Sequence, residues 1–370
     1  MKITAAVVRQ PMAPFSVETL VLDDPKAGEV LVRIVGVGLC HTDLIAQAGA
    51  FPLALPAVLG HEGAGIVERT GPGVSKVKPG DRVALTFLSC GHCVRCAHDE
   101  PAYCHSMPML NYLGTRSDGS KTLREAANGN AVSGSFFGQS SFASHALASE
   151  RNLVKVPDGV PLEIAGTLGC GVQTGAGAVM RSLACKRGSS LLVLGAGAVG
   201  LSAVMGAVVQ GCGSIVVVEP HAARRALALS LGATHAIDPQ GTDLIQAVRA
   251  IEPLGVDFAL DTSGQPAVIE AVVGCLAVRG SFGFVGVPPL AAMDMKLPGT
   301  LVGAMQAGLT LRGIIEGDSD PDVFIPQLMA LYLEGRFPFD RLVKTYPLAD
   351  INRAVQEQHA GLCVKPVLLP

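Results

Sequence analysis

Hydrophobic positions along the first part of the chain fall in short alternating runs separated by turn residues. Residues 3–8, 29–37 and 65–69 read as strands, and Lys78-Pro79-Gly80-Asp81 is turn chemistry that feeds a further strand over 82–86. Only residues 42–47 read as a short helix, with Thr42 or Asp43 in its first turn. The pattern predicts an antiparallel, barrel-like domain. Residues 90 to about 150 are loop-rich. The polar stretch 115–134 is expected as an exposed excursion, after which Phe136-Phe137-Gly138 and Ser141-Phe142-Ala143 bring aromatic side chains back to the body.

Beyond residue 172 strands and helices alternate. Residues 190–194 and 214–219 are predicted strands, 198–210 and 222–231 helices, and 235–238, 257–261, 281–287 and 310–314 four more strands. Six strands separated by helices imply a doubly wound parallel sheet that takes its ligand at the carboxyl ends of the strands. A helix over 323–335 and a tail to Pro370 follow a sheet that is already complete, so they are expected to return to the first domain. The predicted organisation is residues 1–172, carrying a lobe at 90–104; a dinucleotide domain over 173–314; and the returning segment 315–370. Residues 188–218 hold no charge and are long enough to span a bilayer, but glycines at 195, 197, 200, 206, 211 and 213 break them into strand, turn, helix and strand.

Composition narrows the class. Charged residues are 16% of the chain, glycines number 44 and tryptophan is absent, as suits a heavily buried α/β protein. A net charge of -3 without a basic block argues against nucleic acid or an anionic membrane as partner. The start, Met1-Lys2-Ile3-Thr4, lacks the regions of a signal peptide. Ten cysteines in such a chain are expected as thiols and metal ligands in the cytoplasm.

The candidate chemistry concentrates in a few stretches. Gly38-Leu39-Cys40-His41-Thr42-Asp43 places a soft metal ligand, an imidazole, a hydroxyl and a carboxylate in consecutive positions after an apolar run. Read alone, it fits a free cysteine at a strand end followed by a helix cap better than a site. Cys90-Gly91-His92-Cys93-Val94-Arg95-Cys96, joined by Cys104 after seven residues, is stronger: four thiolates close a tetrahedral sphere around a structural zinc. A redox pair needs two cysteines, not four; an iron–sulfur cluster is the remaining alternative on spacing. Gly60-His61-Glu62-Gly63 and Leu168-Gly169-Cys170-Gly171 add an imidazole and a thiolate. Cys40, His61 and Cys170 together give the ligand count of a catalytic zinc with one open position. At such separations, spacing alone leaves each of them equally a buried structural residue.

Gly195-Ala196-Gly197-Ala198-Val199-Gly200 follows an apolar strand and opens a helix, and Glu219 ends the next strand nineteen positions after Gly200. The glycines admit a pyrophosphate to the helix N-terminus. Glu219 suits ribose hydroxyls and repels a phosphate there, which favours NAD over NADP; Arg224 and Arg225 in the following helix soften that preference.

In this order, the motifs resemble those of the zinc-dependent medium-chain alcohol dehydrogenases over essentially the whole chain. The resemblance rests on Gly38-Leu39-Cys40-His41-Thr42-Asp43, Gly60-His61-Glu62-Gly63-Ala64-Gly65, the quartet from Cys90, Gly169-Cys170-Gly171, the loop from Gly195, and Val285-Gly286-Val287-Pro288-Pro289. Phe136-Phe137-Gly138-Gln139-Ser140-Ser141-Phe142 and Arg336-Phe337-Pro338-Phe339-Asp340 point to the aryl (benzyl) alcohol and geraniol dehydrogenase branch. The resemblance implies an α/β fold in which a Rossmann doubly wound parallel sheet joins a β-rich, barrel-like (GroES-like) catalytic domain. It implies two zinc ions per chain: a catalytic one on Cys40, His61 and Cys170, and a structural one on Cys90, Cys93, Cys96 and Cys104. Asp43 is then the carboxylate that orients His61, a role that fixes the tautomer and raises ligand basicity. Glu62 lies behind the metal and can transiently ligate it, Thr42 takes the substrate proton, His41 lies near the cofactor pyrophosphate, and Lys365 matches a phosphate-contact position. Gly195, Gly197, Val199, Gly200, Glu219, Arg224, Thr174 and Val287 complete the cofactor set, with Thr174 and Val199 pressing the nicotinamide toward the substrate. One departure stands out. Many relatives end the proton relay on a histidine where this chain has Ile45, so the proton must leave through His41, water or the cofactor ribose.

The implied reaction is the reversible oxidation of a primary aromatic, allylic or terpenoid alcohol to its aldehyde with NAD. Small-molecule alcohols and aldehydes are the expected partners, and the apolar segment 295–314 suggests a homodimer or homotetramer. A glutathione-dependent formaldehyde dehydrogenase shares the zinc and cofactor plan but needs a cationic site for the glutathione carboxylate, for which the sequence offers no obvious candidate. A general alcohol dehydrogenase on the same scaffold is a second alternative. A non-enzymatic NAD-binding protein predicts loss of Cys40, His61 and Cys170, all of which are present.

Overall fold

In the computed structural model, which describes all 370 residues, the alternating runs of the N-terminal part are used up by two mainly antiparallel sheets. The strands in chain order are β1 (Lys2–Val8), β2 (Ser16–Leu22), β3 (Glu29–Gly38), β4 (Ala57–Val58), β5 (Glu62–Thr70) and β6 (Arg82–Leu85), followed by β7 (Leu123–Glu125), β8 (Ala131–Val132), β9 (His145–Ser149) and β10 (Leu153–Lys155). One sheet runs β4-β1-β2-β7-β8; the other runs β10-β6-β5-β3, with β9 also on β3. The stretch 115–134 is therefore not simply an exposed excursion: β7 pairs with β2 and with β8, and Leu123 and Val132 are buried. These strands are too short to display an alternating pattern, and two of the three residues of β7, Arg124 and Glu125, are charged.

The alternating second half forms a six-stranded parallel sheet. β11 (Ser190–Leu194), β12 (Ser214–Val218), β13 (His235–Ile237), β14 (Val256–Asp261), β15 (Leu276–Phe284) and β16 (Thr310–Gly313) lie in the order β13-β12-β11-β14-β15-β16. β11 is buried along its whole length, as a central parallel strand with both faces covered must be. β15 begins and ends earlier than the predicted 281–287, which leaves Val285-Gly286-Val287 beyond its carboxyl end. The uncharged stretch resolves as β11, the helix Ala198–Gln210 and β12, and no helix is long and apolar enough to cross a membrane.

By contacts the chain divides into two units: Met1–Gly171 with Asp320–Gly335 and Phe339–Pro370, and Val172–Ser319 with Arg336–Pro338. The tail supplies β17 (Val343–Pro347) and β18 (Lys365–Leu369) to the first unit. β18 runs antiparallel to the end of β3, pairing Val367 with Gly38 and Leu368 with Val37. That register places the start of β18 beside the point where β3 gives way to Cys40.

Candidate functional site

β3 ends at Gly38, and Cys40 is the N-cap residue of the helix α1 (His41–Gln47). Asp43, three positions further, organises this corner. Its Oδ2 accepts the Cys40 N–H at 3.0 Å, and its Oδ1 accepts the Gly60 N–H at 3.0 Å and contacts His61 Nδ1 at 2.9 Å. A carboxylate partner makes Nδ1 the donor, which leaves Nε2 of the neutral ring as a bare lone pair. Nε2 is buried and has no hydrogen-bond partner. The ligand atoms of Cys40, His61, Glu62 and Cys170 all lie within 4.8 Å of one another. An unpartnered imidazole nitrogen held out of water is costly unless something binds it, and together with the two thiols it forms the donor set that zinc prefers. These residues fit the metal that the motifs imply.

The charges around the cluster are arranged in pairs. A hydrogen bond with Cys170, together with the Lys365 ammonium, holds the Cys40 thiol well below its usual range in spite of burial. Burial pushes the Glu62 carboxyl up, and burial also works against the Lys365 ammonium, yet Glu62 holds that ammonium above its ordinary range. We read the two as an ion pair, because Lys365 Nζ meets both Glu62 oxygens at 2.7 and 2.8 Å. Lys365, expected at a phosphate contact, thus has its ammonium buried against Glu62 and, at 3.4 Å, the Leu39 carbonyl. The pairing of β18 with β3 puts it there. Thr42 is half-buried with Oγ1 at 3.8 Å from Cys40 Sγ, His41 is exposed, and Ile45 is half-buried on α1.

An aromatic group packs on the imidazole. The His61 ring lies 4.6 Å from Phe137 and 5.8 Å from Phe136, centroid to centroid, and Phe51 stacks on Tyr112 at 4.6 Å. Tyr112 in turn contacts Phe137 at 5.6 Å. Phe136 and Phe137 are buried core residues, while Phe51 and Tyr112 are half-buried. Sequence reasoning missed Tyr112, which belongs to no motif. It also missed Gln139, whose fully buried amide donates to the carbonyls of His61 (2.8 Å) and Thr86 (3.2 Å) and accepts from Gly63 N–H (3.1 Å). Its only signal was a polar residue embedded in an otherwise aromatic motif.

The quartet is assembled as a second cluster: the Sγ atoms of Cys90, Cys93, Cys96 and Cys104 lie within 4.8 Å of one another. The Cys96 and His105 N–H groups lower the Cys93 thiol to about 5, whereas burial pushes Cys104 up to about 12. His92 turns its Nδ1 to the Cys90 carbonyl at 2.9 Å and stays outside the cluster.

In the second unit, the loop after β11 has the form a pyrophosphate requires. Gly195 has φ +99°, and a Cβ on Gly200 would lie 1.9 Å from the Gly195 carbonyl oxygen, so both positions demand glycine. Gly197 faces open space at the N-cap of the helix Ala198–Gln210, with Val199 half-buried in its first turn. Glu219 is nearly buried at the end of β12, where its carboxylate accepts from Ala196 N–H at 2.8 Å and His221 N–H at 2.9 Å and so braces this loop. Arg225 is engaged by the Glu219 and Pro220 carbonyls and by Asp238, while Arg224 is half-buried beside it. Thr174 donates to the buried Glu316 at 3.3 Å, and Val287 is 43% exposed.

The sequence profile of the alcohol dehydrogenase GroES-like domain matches residues 26–158, and that of the zinc-binding dehydrogenase domain matches residues 198–333. The chain is 49% identical to a geraniol dehydrogenase of Castellaniella defragrans over 367 residues, 99% of this chain and 97% of the relative. Among solved structures it resembles an alcohol dehydrogenase zinc-binding domain protein from Burkholderia ambifaria, with a TM-score of 0.96, 51% identity and coverage of 100% and 99%. It also resembles the benzyl alcohol dehydrogenase of Acinetobacter calcoaceticus, with a TM-score of 0.94, 41% identity and the same coverage.

Proposed function

From the premise that this chain belongs to the zinc-dependent medium-chain alcohol dehydrogenases, in their aryl-alcohol and geraniol dehydrogenase branch, we propose that it interconverts primary aromatic or allylic alcohols and their aldehydes with NAD, using two zinc ions per chain. Zinc-dependent alcohol oxidoreduction is the activity of the family; the substrate class, the dinucleotide, the metal count and the roles of single residues are the proposal. The observation that carries it is the buried, unpartnered His61 Nε2 among the thiols of Cys40 and Cys170.

When bound, zinc supplies Lewis acidity toward the alcohol oxygen and NAD supplies the hydride acceptor. The chain supplies position and charge. Cys40, His61 and Cys170 hold the metal, and Asp43 fixes the imidazole in the ligating tautomer. The Thr42 hydroxyl takes the substrate proton at Oγ1. Ile45 offers no acceptor beyond it, so the proton passes to His41, water or the cofactor ribose. Cys90, Cys93, Cys96 and Cys104 hold a structural zinc whose closed sphere leaves no site for substrate.

The half-buried rings of Phe51 and Tyr112, backed by the buried Phe137 that lies on His61, support an aromatic or allylic substrate, because flat π-systems pack well on one another. Glu219 at the end of β12 supports NAD, since a carboxylate there repels a ribose phosphate. The carbonyls and Asp238 that engage Arg225 support the same reading by removing one candidate phosphate ligand. Gly195, Gly197, Val199, Gly200, Arg224, Thr174 and Val287 complete the proposed cofactor set. The edge strand β16 and the exposed Leu297, Leu301 and Met305 support a homodimer or a tetramer built from it. Two cysteine clusters with metal-ligand chemistry support a thiol-preserving compartment, the cytoplasm.

Metal analysis combined with parallel kinetics on benzyl alcohol, geraniol and ethanol tests the proposal. Two zincs per chain and a preference for the first two alcohols are expected. One zinc per chain contradicts the catalytic site, and a clear preference for ethanol contradicts the substrate class. Light scattering on the eluting protein tests the assembly, which a monomer would refute.

A further inference from the structure

Seven of the ten cysteines belong to the two metal-ligand clusters, which leaves Cys185, Cys212, Cys275 and Cys363 outside the chemistry above. Cys275 is buried and turns its thiol to the Ala271 carbonyl at 3.6 Å, and Cys363 is buried beside Tyr346. Cys185 and Cys212 instead face each other across a side-chain hydrogen bond, both within the second unit. We propose that this pair is a modification site: a hydroperoxide oxidises Cys212, and Cys185 closes the product to a disulfide.

The backbone holds the two together. The Cys185 carbonyl accepts from Gln210 Nε2 at 3.0 Å, and Gln210 is the last residue of the helix Ala198–Gln210. Gly211 ends that helix with φ +76°, and the Cys212 N–H bonds back to the Ala207 carbonyl at 3.0 Å. On either side of Cys212, the Gly211 carbonyl takes the Gly188 N–H at 2.8 Å and the Gly213 N–H donates to the Ser189 carbonyl at 2.9 Å. The segments that follow Cys185 and flank Cys212 are thus tied to one another.

Exposure and charge set the order of attack. Cys185 is 2% exposed, whereas Cys212 is half-buried, with Ser189 Oγ 3.7 Å from its sulfur. The hydrogen bond with Cys185 lowers the Cys212 thiol to about 7, and the same bond together with burial pushes the Cys185 thiol up. The thiolate is the nucleophile, so Cys212 reacts first. Its sulfur attacks a peroxide oxygen: an S–O bond forms, the O–O bond breaks, and the departing hydroxide takes a proton from solvent, leaving a sulfenic acid. The Cys185 sulfur then attacks the Cys212 sulfur. An S–S bond forms, the S–O bond breaks, and the Cys185 proton leaves with the hydroxide as water. Two electrons pass from the thiol pair to one peroxide. In a compartment that preserves thiols the link is transient, and the pair returns to the reduced form.

The bridge also has a place in the fold. The helical segment Gly171–Gly177, continued by Ala178–Ser182, lies against the helix Ala198–Gln210: a Cβ on Gly175 would lie 2.9 Å from Ser202 Cβ, and one on Gly206 would lie 3.3 Å from Ala176 Cα. Cys185 and Cys212 follow the carboxyl ends of these two helices, whose other ends carry Thr174 and Val199. A bridge between them ties the pair of helices together, and the linked chain is expected to melt a few degrees higher.

The test exposes the zinc-loaded full chain to hydrogen peroxide, blocks free thiols with iodoacetamide in denaturant, and digests with trypsin without reduction. Cleavage after Arg181, Lys186, Arg187 and Arg224 puts the cysteines in separate peptides, 182–186 and 188–224. These are expected to appear linked, two hydrogens lighter than their summed masses, and to separate again with dithiothreitol. Cys185→Ser, close to cysteine in size, is expected to stop at a sulfenic acid on Cys212 that dimedone traps. Cys212→Ser is expected to leave Cys185 reduced at the same peroxide dose. Zinc measured on the same samples keeps this reaction apart from oxidation of metal-bound sulfurs. Wild-type chains in which both thiols are still alkylated after peroxide, or a link that forms only once zinc is lost, overturn the proposal.

Discussion

Asp43 Oδ1 meets His61 Nδ1 at 2.9 Å with both side chains fully buried, and the same oxygen also takes the Gly60 N–H. One carboxylate thus fixes the tautomer of the imidazole and the backbone that carries it. Asp43→Asn keeps the shape but removes the charge and puts an NH2 group against one of these donors. Zinc affinity at this site is expected to fall about 10–100-fold, as when other partners of metal-bound imidazoles are lost. Competition with a chromophoric chelator reads this directly. Unchanged affinity would mean that the carboxylate serves only to cap α1.

Cys170→Ser replaces a soft thiolate by a hydroxyl that stays protonated at neutral pH. Turnover is expected to vanish and the metal content to drop from two zincs to one. The fold should persist, because serine is nearly isosteric with cysteine and the quartet is untouched. Full activity with two zincs retained would show that the catalytic metal lies elsewhere.

The lobe around the quartet holds only the short helix Val94–Ala97 and a single turn at Pro101–Tyr103, so regular hydrogen bonding contributes little to its order. Cys93→Ser opens the sphere and is expected to unravel it. The readouts are limited proteolysis cutting within residues 90–104 and a zinc count reduced by one. Resistance equal to the wild-type chain would assign the order of the lobe to its packing instead.

How legible each part was depended on whether its chemistry was local. The parallel sheet could be read because apolar strands such as 190–194 and 214–218 alternate with helical segments, and the dinucleotide loop because its three glycines fall within six consecutive positions after one of those strands. Cys40, His61 and Cys170 could be grouped only through resemblance, since nothing in their spacing joins residues that distant. Gln139 and the pairing of Lys365 with Glu62 escaped because the partners lie 78 and 303 positions apart, and a buried amide or ion pair has no sequence signature. β7 and β8 escaped for the opposite reason: strands of three and two residues are shorter than the period needed to reveal them.

Tyr112 stacks on Phe51 and touches Phe137, whose ring lies on His61. Tyr112→Ala removes the outer ring of this group. A ring contact of about 1 kcal/mol corresponds to a five- to tenfold loss, so kcat/KM for benzyl alcohol should drop by about that factor. Ethanol, which has no π-face to stack, should be turned over as before. Equal losses for both alcohols would mean that the tyrosine supports the scaffold and not the substrate.

Two glycines of the dinucleotide loop separate folding from binding. A Cβ at Gly200 would sit 1.9 Å from the Gly195 carbonyl oxygen, and backbone cannot swing aside as a side chain does. Gly200→Ala should therefore destabilise the protein by about 1–3 kcal/mol through overpacking, and weaken NADH binding as the loop shifts. A Cβ at Gly197 would meet nothing within 4 Å, and its φ of -76° suits any residue. Gly197→Ala should melt like the wild-type protein yet bind NADH more weakly, because the added methyl fills the space through which a pyrophosphate reaches the helix N-terminus. Thermal melts and fluorescence titration with NADH on the same two variants distinguish the effects. If Gly197→Ala binds NADH as tightly as wild type, the pyrophosphate does not lie against this loop.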